Sequence, residues 1–117
     1  MKTGVAMNAA DLSDDQVVEL AEMFRLMGDP SRLKIIAACL SAPMCVSDIA
    51  AKLGLSQPLV SHHLRLLRAA RVLRAARRGK QIFYEAADDH VRRMIDDMAD
   101  HVCEHPPADL DDASREH

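Results

Sequence analysis

The sequence predicts one mainly α-helical domain with a small β-hairpin, on three observations. The chain has 117 residues, 49% of them apolar and 28% charged, which is the size and balance of a single small globular domain. Apolar residues recur at helical spacing through most of the chain, whereas one stretch after residue 71 has the pattern of two short strands. No apolar run approaches the ~20 residues of a membrane span, so no membrane association is expected.

Capping residues mark the first two helices. Ser13 and Gln16 form a capping-box pattern, and Gly28 ends the apolar periodicity that follows. Asp29 then suits the N-cap, and Pro30 the first position, of a second helix. In that helix four apolar side chains are expected to face inward: Leu33, Ile36, Ala37 and Leu40.

Two short helices joined by a turn at Gly54 follow. Ser47 is expected to cap the first and Ser56 the second, and Gly54 can adopt the left-handed conformation that ends a helix. This arrangement is typical of a helix-turn-helix, although an ordinary αα-hairpin uses the same kind of turn. Polar and basic side chains on the second helix favour a unit that reads double-stranded DNA. They are Gln57, Ser61, His62 and Arg65.

A hairpin is predicted directly after this unit. Residues 72–77 and 81–85 have the composition of strands around a turn at residues 78–80. A hairpin in this position is a wing, so the predicted fold is a winged helix-turn-helix. Its tip carries Arg77, Arg78 and Lys80, which suit DNA phosphates or the minor groove.

The net charge of −3 conceals a basic central segment. Between Ser56 and Arg93 nine Lys and Arg face three acids, a net charge of +6, and the rest of the chain carries −9. A localised basic segment indicates a polyanion-binding face, although a solvated helix surface would have the same composition. Only three aromatic residues are present, which argues against a protein that stacks single-stranded bases.

The last helix is expected to run from about residue 89 to 105. Its apolar residues fall on one stripe that is too apolar to remain in water. The stripe consists of Val91, Met94, Ile95, Met98 and Val102. Pro106 and Pro107 end the helix, and the acidic tail beyond it, at 106–117, is expected to be disordered. The single domain is therefore expected at 13–105, after a flexible N-terminus at 1–12.

His90 and His101 lie on one flank of that stripe but ~16 Å apart along the helix axis, too far to share an ion within one chain. An antiparallel pairing of two copies of the helix brings His90 of one chain beside His101 of the other. Asp88 and Glu104 then join them as carboxylate ligands, a set that suits tetrahedral Zn²⁺ or Co²⁺. Ni²⁺ requires more ligands, and His105 is an additional candidate. The residues alone leave open whether these side chains are ligands or a solvated polar flank.

An enzyme interpretation of the same segment is not favoured. His101, Glu104 and His105 fit the inverted zinc-protease pattern H-x-x-E-H. They stand at the end of a small domain, before a Pro-Pro break, with no pocket-forming residues beyond them. We therefore expect no catalytic residues.

The order of elements resembles that of the ArsR/SmtB family of bacterial metal-sensing repressors. The resemblance rests on Asp29-Pro30-Ser31-Arg32-Leu33 and on Val60-Ser61-His62-His63-Leu64-Arg65, and it extends from about residue 20 to 104. It implies a homodimer paired through the first and last helices. It also implies that the apo dimer holds an inverted-repeat operator and that metal binding releases it.

The resemblance also carries over a set of metal ligands. SmtB-type sensors use Asp-x-His, a His 11 residues later, and a Glu or His three residues beyond. This pattern is matched by Asp88, His90, His101 and Glu104. The resemblance therefore implies Zn²⁺ as the bound ion, with Co²⁺ or Ni²⁺ as further candidates. In such sensors the His101 ring is implied to interact with the backbone near Arg71.

The three cysteines suggest one alternative function. Their odd number and wide spacing exclude a disulfide framework, and the N-terminal residues lack the apolar core of a signal peptide, so a cytoplasmic protein is expected. Cys45 is expected to be a small buried residue rather than part of a thiolate site. Some family members sense persulfides through cysteines in the second and last helices. Cys39 and Cys103 lie in those elements and define a thiol-redox alternative.

Overall fold

The computed structural model describes residues 8–107, which form five α-helices and a two-stranded antiparallel hairpin. After a 3-10 turn at Ala9–Asp11, the elements are α1 (Asp14–Met27), α2 (Pro30–Ser41), α3 (Val46–Leu53), α4 (Gln57–Ala69), β1 (Leu73–Arg78), β2 (Gln81–Ala86) and α5 (Asp89–Glu104). The predicted mainly α fold with a hairpin is confirmed. Residues 1–7 and 108–117, which contain most of the predicted flexible terminus and acidic tail, lie outside the described residues.

Cap hydrogen bonds confirm several predicted helix boundaries. The Ser13 Oγ accepts from the Gln16 backbone N–H at 3.2 Å, and the Gln16 Oε1 accepts from the Ser13 N–H at 2.9 Å. The Ser56 Oγ accepts from the Leu59 N–H at 3.2 Å at the start of α4. Gly54 ends α3 with φ of +69°, a conformation that costs glycine little because it has no Cβ.

The prediction that Ser47 caps α3 is wrong. Cys45 occupies the N-cap without a side-chain cap hydrogen bond, and its Sγ lies 3.4 Å from the Ser47 Oγ. The reason is an isolated β-bridge between Met44 and Tyr84, which keeps the chain extended up to Cys45. The helix therefore begins at Val46, before the hydroxyl that the sequence pattern singled out.

The hydrophobic core lies between α2, α3, α4 and the hairpin. Ile36 and Leu40 face this core as predicted, but Leu33 is 42% exposed and Ala37 is also exposed. Ile35 is fully buried instead. The prediction for Leu33 and Ala37 is wrong because they line an apolar groove beside α5, and helical periodicity does not distinguish a core from a groove. Within residues 8–107 no helix has the length and hydropathy to cross a bilayer.

His63 is the one buried polar side chain among the described residues, and its Nδ1 has no hydrogen-bond partner there. Burial lowers the pKa of this imidazole, and the Arg32 guanidinium lowers it further, against an opposing effect of the Asp29 carboxylate. The folded state therefore favours the neutral ring.

This burial predicts a pH dependence of stability. Because the pKa of His63 is lower in the folded state than its usual ~6.5, the unfolded chain binds more protons as the pH falls below that value. The free energy of unfolding, measured by urea titration, should decrease from pH 7 to pH 5, and His63→Leu should reduce this slope. The control His105→Ala removes an exposed imidazole from the end of α5, far along the chain from His63, and should keep the wild-type slope. Equal slopes in wild type and His63→Leu would contradict the assignment.

Candidate DNA interface and metal centre

α4 presents a buried apolar face and an opposite polar face. At ~100° per residue, the four predicted DNA-reading residues fall within an arc of ~140°. Gln57, His62 and Arg65 are exposed and Ser61 is half-buried. The buried residues of the helix occupy the other side: Val60, His63, Leu64 and Leu67. The structure thus brings the four sequence-predicted residues to one outer surface.

The tip of the hairpin presents the three predicted cations. β1 and β2 pair in antiparallel register with Arg78 opposite Gln81, and Gly79 turns with φ of +66°. Arg77, Arg78 and Lys80 are exposed, and none of them forms an ion pair with another residue in 8–107. The Arg78 guanidinium carbon lies 5.4 Å from the centroid of the Phe83 ring, a cation–π contact that orients this side chain.

The wing is attached to the helix-turn-helix by a backbone bridge. The Met44 N–H donates to the Tyr84 carbonyl at 3.0 Å, and the Tyr84 N–H donates to the Met44 carbonyl at 2.8 Å. Met44 lies just before α3, so the bridge holds β2 against the start of the helix-turn-helix. The wing is therefore fixed relative to the start of α3.

α5 is continuous from Asp89 to Glu104, with His90 near its start and His101 near its end. Because the helix is unbroken, the two imidazoles are ~16 Å apart along its axis, and one chain does not bring them together. Within residues 8–107 of one chain, no group of three or more His, Cys, Asp or Glu side chains is placed to hold a metal ion.

The candidate metal ligands at the two ends of α5 are accessible. Asp88 is the N-cap, and its Oδ1 accepts from the Val91 N–H at 3.0 Å. Its Oδ2 makes no hydrogen bond within residues 8–107 and is therefore available to a metal ion. His90, His101 and Glu104 are exposed. At the other end the rings of His101 and His105 lie with centroids 4.7 Å apart, so these two imidazoles occupy one face of the helix.

The apolar stripe of α5 is only half covered by its own chain. Val91 is buried and Met94 and Ile95 are half-buried, but Met98 is 55% and Val102 61% exposed. Two apolar grooves of about 300 and 250 Å³ lie against this stripe, one beside α2 and one beside α1. α1 also leaves apolar side chains exposed, namely Val17, Leu20 and Phe24.

The cysteines do not favour the thiol-redox alternative. Cys39 is fully buried, and burial raises the pKa of its thiol to about 12, so the reactive thiolate is not available. Cys103 is exposed near the end of α5. Cys45 is buried, as predicted.

Two arginines whose side-chain contacts the sequence analysis did not predict connect distant elements. The Arg71 guanidinium contacts the Glu19 carboxylate of α1, and Arg71 itself adopts φ of +62° at the turn after α4. The Arg92 Nη1 on α5 donates to the Leu40 carbonyl at 2.5 Å. Each contact joins residues 52 positions apart, so no local sequence pattern could reveal it.

Comparisons with known proteins agree with this geometry. Residues 29–75 match the family described as bacterial regulatory protein, arsR family. A transcriptional repressor SmtB homolog from a Synechocystis strain is 40% identical over 93 residues, covering 80% of this chain and 70% of that protein.

Two solved structures extend the comparison. The homodimeric winged helix-turn-helix domain Mb0332 from Mycobacterium bovis has a TM-score of 0.76 at 21% identity, covering 86% of this chain and 94% of that one. The cadmium metal-sensor CMTR from Mycobacterium tuberculosis is 38% identical with a TM-score of 0.57, covering 63% of this chain and 76% of that one.

The identity and coverage of the Synechocystis relative, together with the matched segment, establish the family. Members of this family are DNA-binding regulators rather than enzymes, so the H-x-x-E-H pattern of His101, Glu104 and His105 is not a protease site. The chain belongs to the ArsR family of bacterial regulatory proteins.

Proposed function

We propose that this protein is a cytoplasmic, metal-responsive transcriptional repressor. As an apo homodimer it binds an inverted-repeat operator in double-stranded DNA, and a divalent ion bound between the two α5 helices releases it. Zn²⁺ is the first candidate, followed by Co²⁺ and Ni²⁺. The Synechocystis relative is described as a transcriptional repressor, and the Mycobacterium tuberculosis structure is that of a cadmium metal-sensor.

One observation carries the proposal: α5 holds its donors at two distant ends beside an apolar stripe that its own chain leaves half exposed. Covering Met98 and Val102 stabilises a helix pair by removing apolar surface from water. If the second copy runs antiparallel about residues 95–96, each end of one helix meets the opposite end of the other. The antiparallel pairing that covers the apolar stripe then also completes both groups of metal ligands.

The donor chemistry fits a divalent ion of the zinc group. Asp88 and His90 of one protomer with the partner's His101 and the partner's Glu104 supply two imidazole nitrogens and two carboxylate oxygens. His105 lies beside His101 and could supply a further nitrogen for an ion that prefers more ligands. When bound, the ion crosslinks the paired helices at both ends.

The chain itself converts this crosslink into a change in DNA affinity. Gln57, Ser61 and His62 contact base edges, while Arg65 and the three wing cations contact phosphates. A change in the angle between protomers alters the distance between the two α4 helices, and hence their fit to two half-sites. A coupling of about 1–3 kcal/mol suffices for a 5- to 150-fold loss of operator affinity.

The decisive experiment removes one ligand. His101→Ala should still bind the operator in the apo state. Titration with Zn²⁺, Co²⁺ and Ni²⁺ should no longer release it, because each of the two shared metal sites has lost one imidazole ligand. Operator affinity is measured by fluorescence anisotropy. Asp100→Ala, a change at the adjacent exposed position, is the matched control and should respond like wild type. Wild-type release in His101→Ala would exclude this site as the sensor.

The wing can be tested separately. Arg77→Ala combined with Lys80→Ala should weaken binding to specific and non-specific DNA alike, because phosphate contacts do not read sequence. The slope of log affinity against log salt should become shallower by about 1–2. Arg25→Ala removes a cation paired with Glu22 on α1 and should leave the slope unchanged. An unchanged slope in the wing variant would exclude these phosphate contacts.

A further inference from the structure

The C-terminal end of α2 differs from the ends of the other α-helices in residues 8–107. In α1, α3, α4 and α5 the capping residue donates its backbone N–H to a carbonyl of the helix, but α2 has no such bond. Its last turn also contains no basic residue. The final carbonyls of a helix carry partial negative charge and need hydrogen-bond donors, so this end depends on side-chain donors.

Arg92 of α5 supplies the missing donor. Its Nη1 donates to the Leu40 carbonyl at 2.5 Å, in a partly buried position. A charged donor placed at a helix C-terminus makes a stronger bond than a neutral one. The Ser41 Oγ satisfies a second carbonyl, that of Ala38, at 2.9 Å. The end of α2 is thus capped by a cation that belongs to another element.

The location of this cap connects two functional parts. Leu40 precedes by four residues the Met44–Tyr84 bridge that holds the wing, and α3 begins two residues later. On α5, Arg92 lies two residues after His90, which is ~200° around the helix and therefore on nearly the opposite face. One turn of α5 thus presents a proposed metal ligand on one side and the α2 cap on the other.

We propose that Arg92 is the positioning residue that transmits movement of the α5 start to the helix-turn-helix and wing. This inference rests on the proposed function of α5. A rotation that orients His90 toward the partner subunit's His101 displaces the guanidinium on the other face. The Leu40 carbonyl, and with it the segment leading to Met44, either follows Arg92 or loses its donor. Both outcomes change how the DNA-binding elements are held.

The test compares two neighbouring arginines. Arg92→Met and Arg93→Met remove the same charge from the same turn, but Arg93 is exposed and makes only a local 3.5 Å hydrogen bond to the Asp89 carbonyl. Three quantities are measured for the full-length dimer: Co²⁺ affinity by visible absorption, apo operator affinity, and operator affinity in excess Zn²⁺.

Arg92→Met should bind Co²⁺ within about twofold of wild type, but its Zn²⁺-induced loss of operator affinity should shrink by about tenfold. Arg93→Met should keep the wild-type loss. The Met44 amide, which donates to the Tyr84 carbonyl, should exchange hydrogen faster in apo Arg92→Met than in apo wild type, because the segment that leads to it has lost its anchor. If Arg92→Met does not fold, Arg92→Gln, whose shorter neutral side chain removes the charged donor to the Leu40 carbonyl, is compared with Arg93→Gln in the same way.

The outcomes separate this inference from the proposed function. An equal Zn²⁺ response in Arg92→Met and wild type would overturn the role of Arg92 alone. The absence of any Zn²⁺, Co²⁺ or Ni²⁺ response in wild type would overturn the proposed function and, with it, this inference. A reduced response in both arginine variants would assign the effect to charge rather than to the α2 cap and would also overturn it.

Discussion

The structure depends on how α5 divides its apolar surface. Its first two turns pack on their own chain through Val91, Met94 and Ile95, whereas the following turns leave Met98 and Val102 in water. A single chain therefore anchors the helix but does not bury it. His90 and His101 lie ~16 Å apart along the same helix, so one chain does not bring these two candidate metal ligands together either. Covering the exposed part of the stripe and forming the shared metal site proposed above both require a second copy.

Much of the fold could be predicted because local hydrogen bonds determine its boundaries. Ser13, Ser56 and Gly54 act within four residues of the positions they control, so the sequence alone located them. Ser47 was misleading because a tertiary contact, the Met44–Tyr84 bridge, set the start of α3. Leu33 was misleading because an apolar side chain that lines a groove follows the same helical periodicity as one in the core.

The candidate interfaces were predictable to different degrees. The polar face of α4 and the wing tip follow from residue type and short spacing, and the structure places them on accessible surfaces. The basic segment as a whole overstates the charge available to DNA. Arg74 is paired with Glu85, which the net charge of +6 already counts, but Arg71 is paired with Glu19 of α1, so one further positive charge is neutralised by another element. Only tertiary structure distinguishes the paired arginines from the unpaired ones.

The bridge between Met44 and Tyr84 joins the wing to the helix-turn-helix through backbone atoms alone. Side-chain replacement at either position leaves both amide–carbonyl bonds possible, provided neither becomes proline, so sequence drift there need not loosen the joint. The attachment of the wing is consequently independent of the side chains on the outer face of α4. Descendants of this protein could therefore change the outer face of α4 while the wing stays attached in the same way.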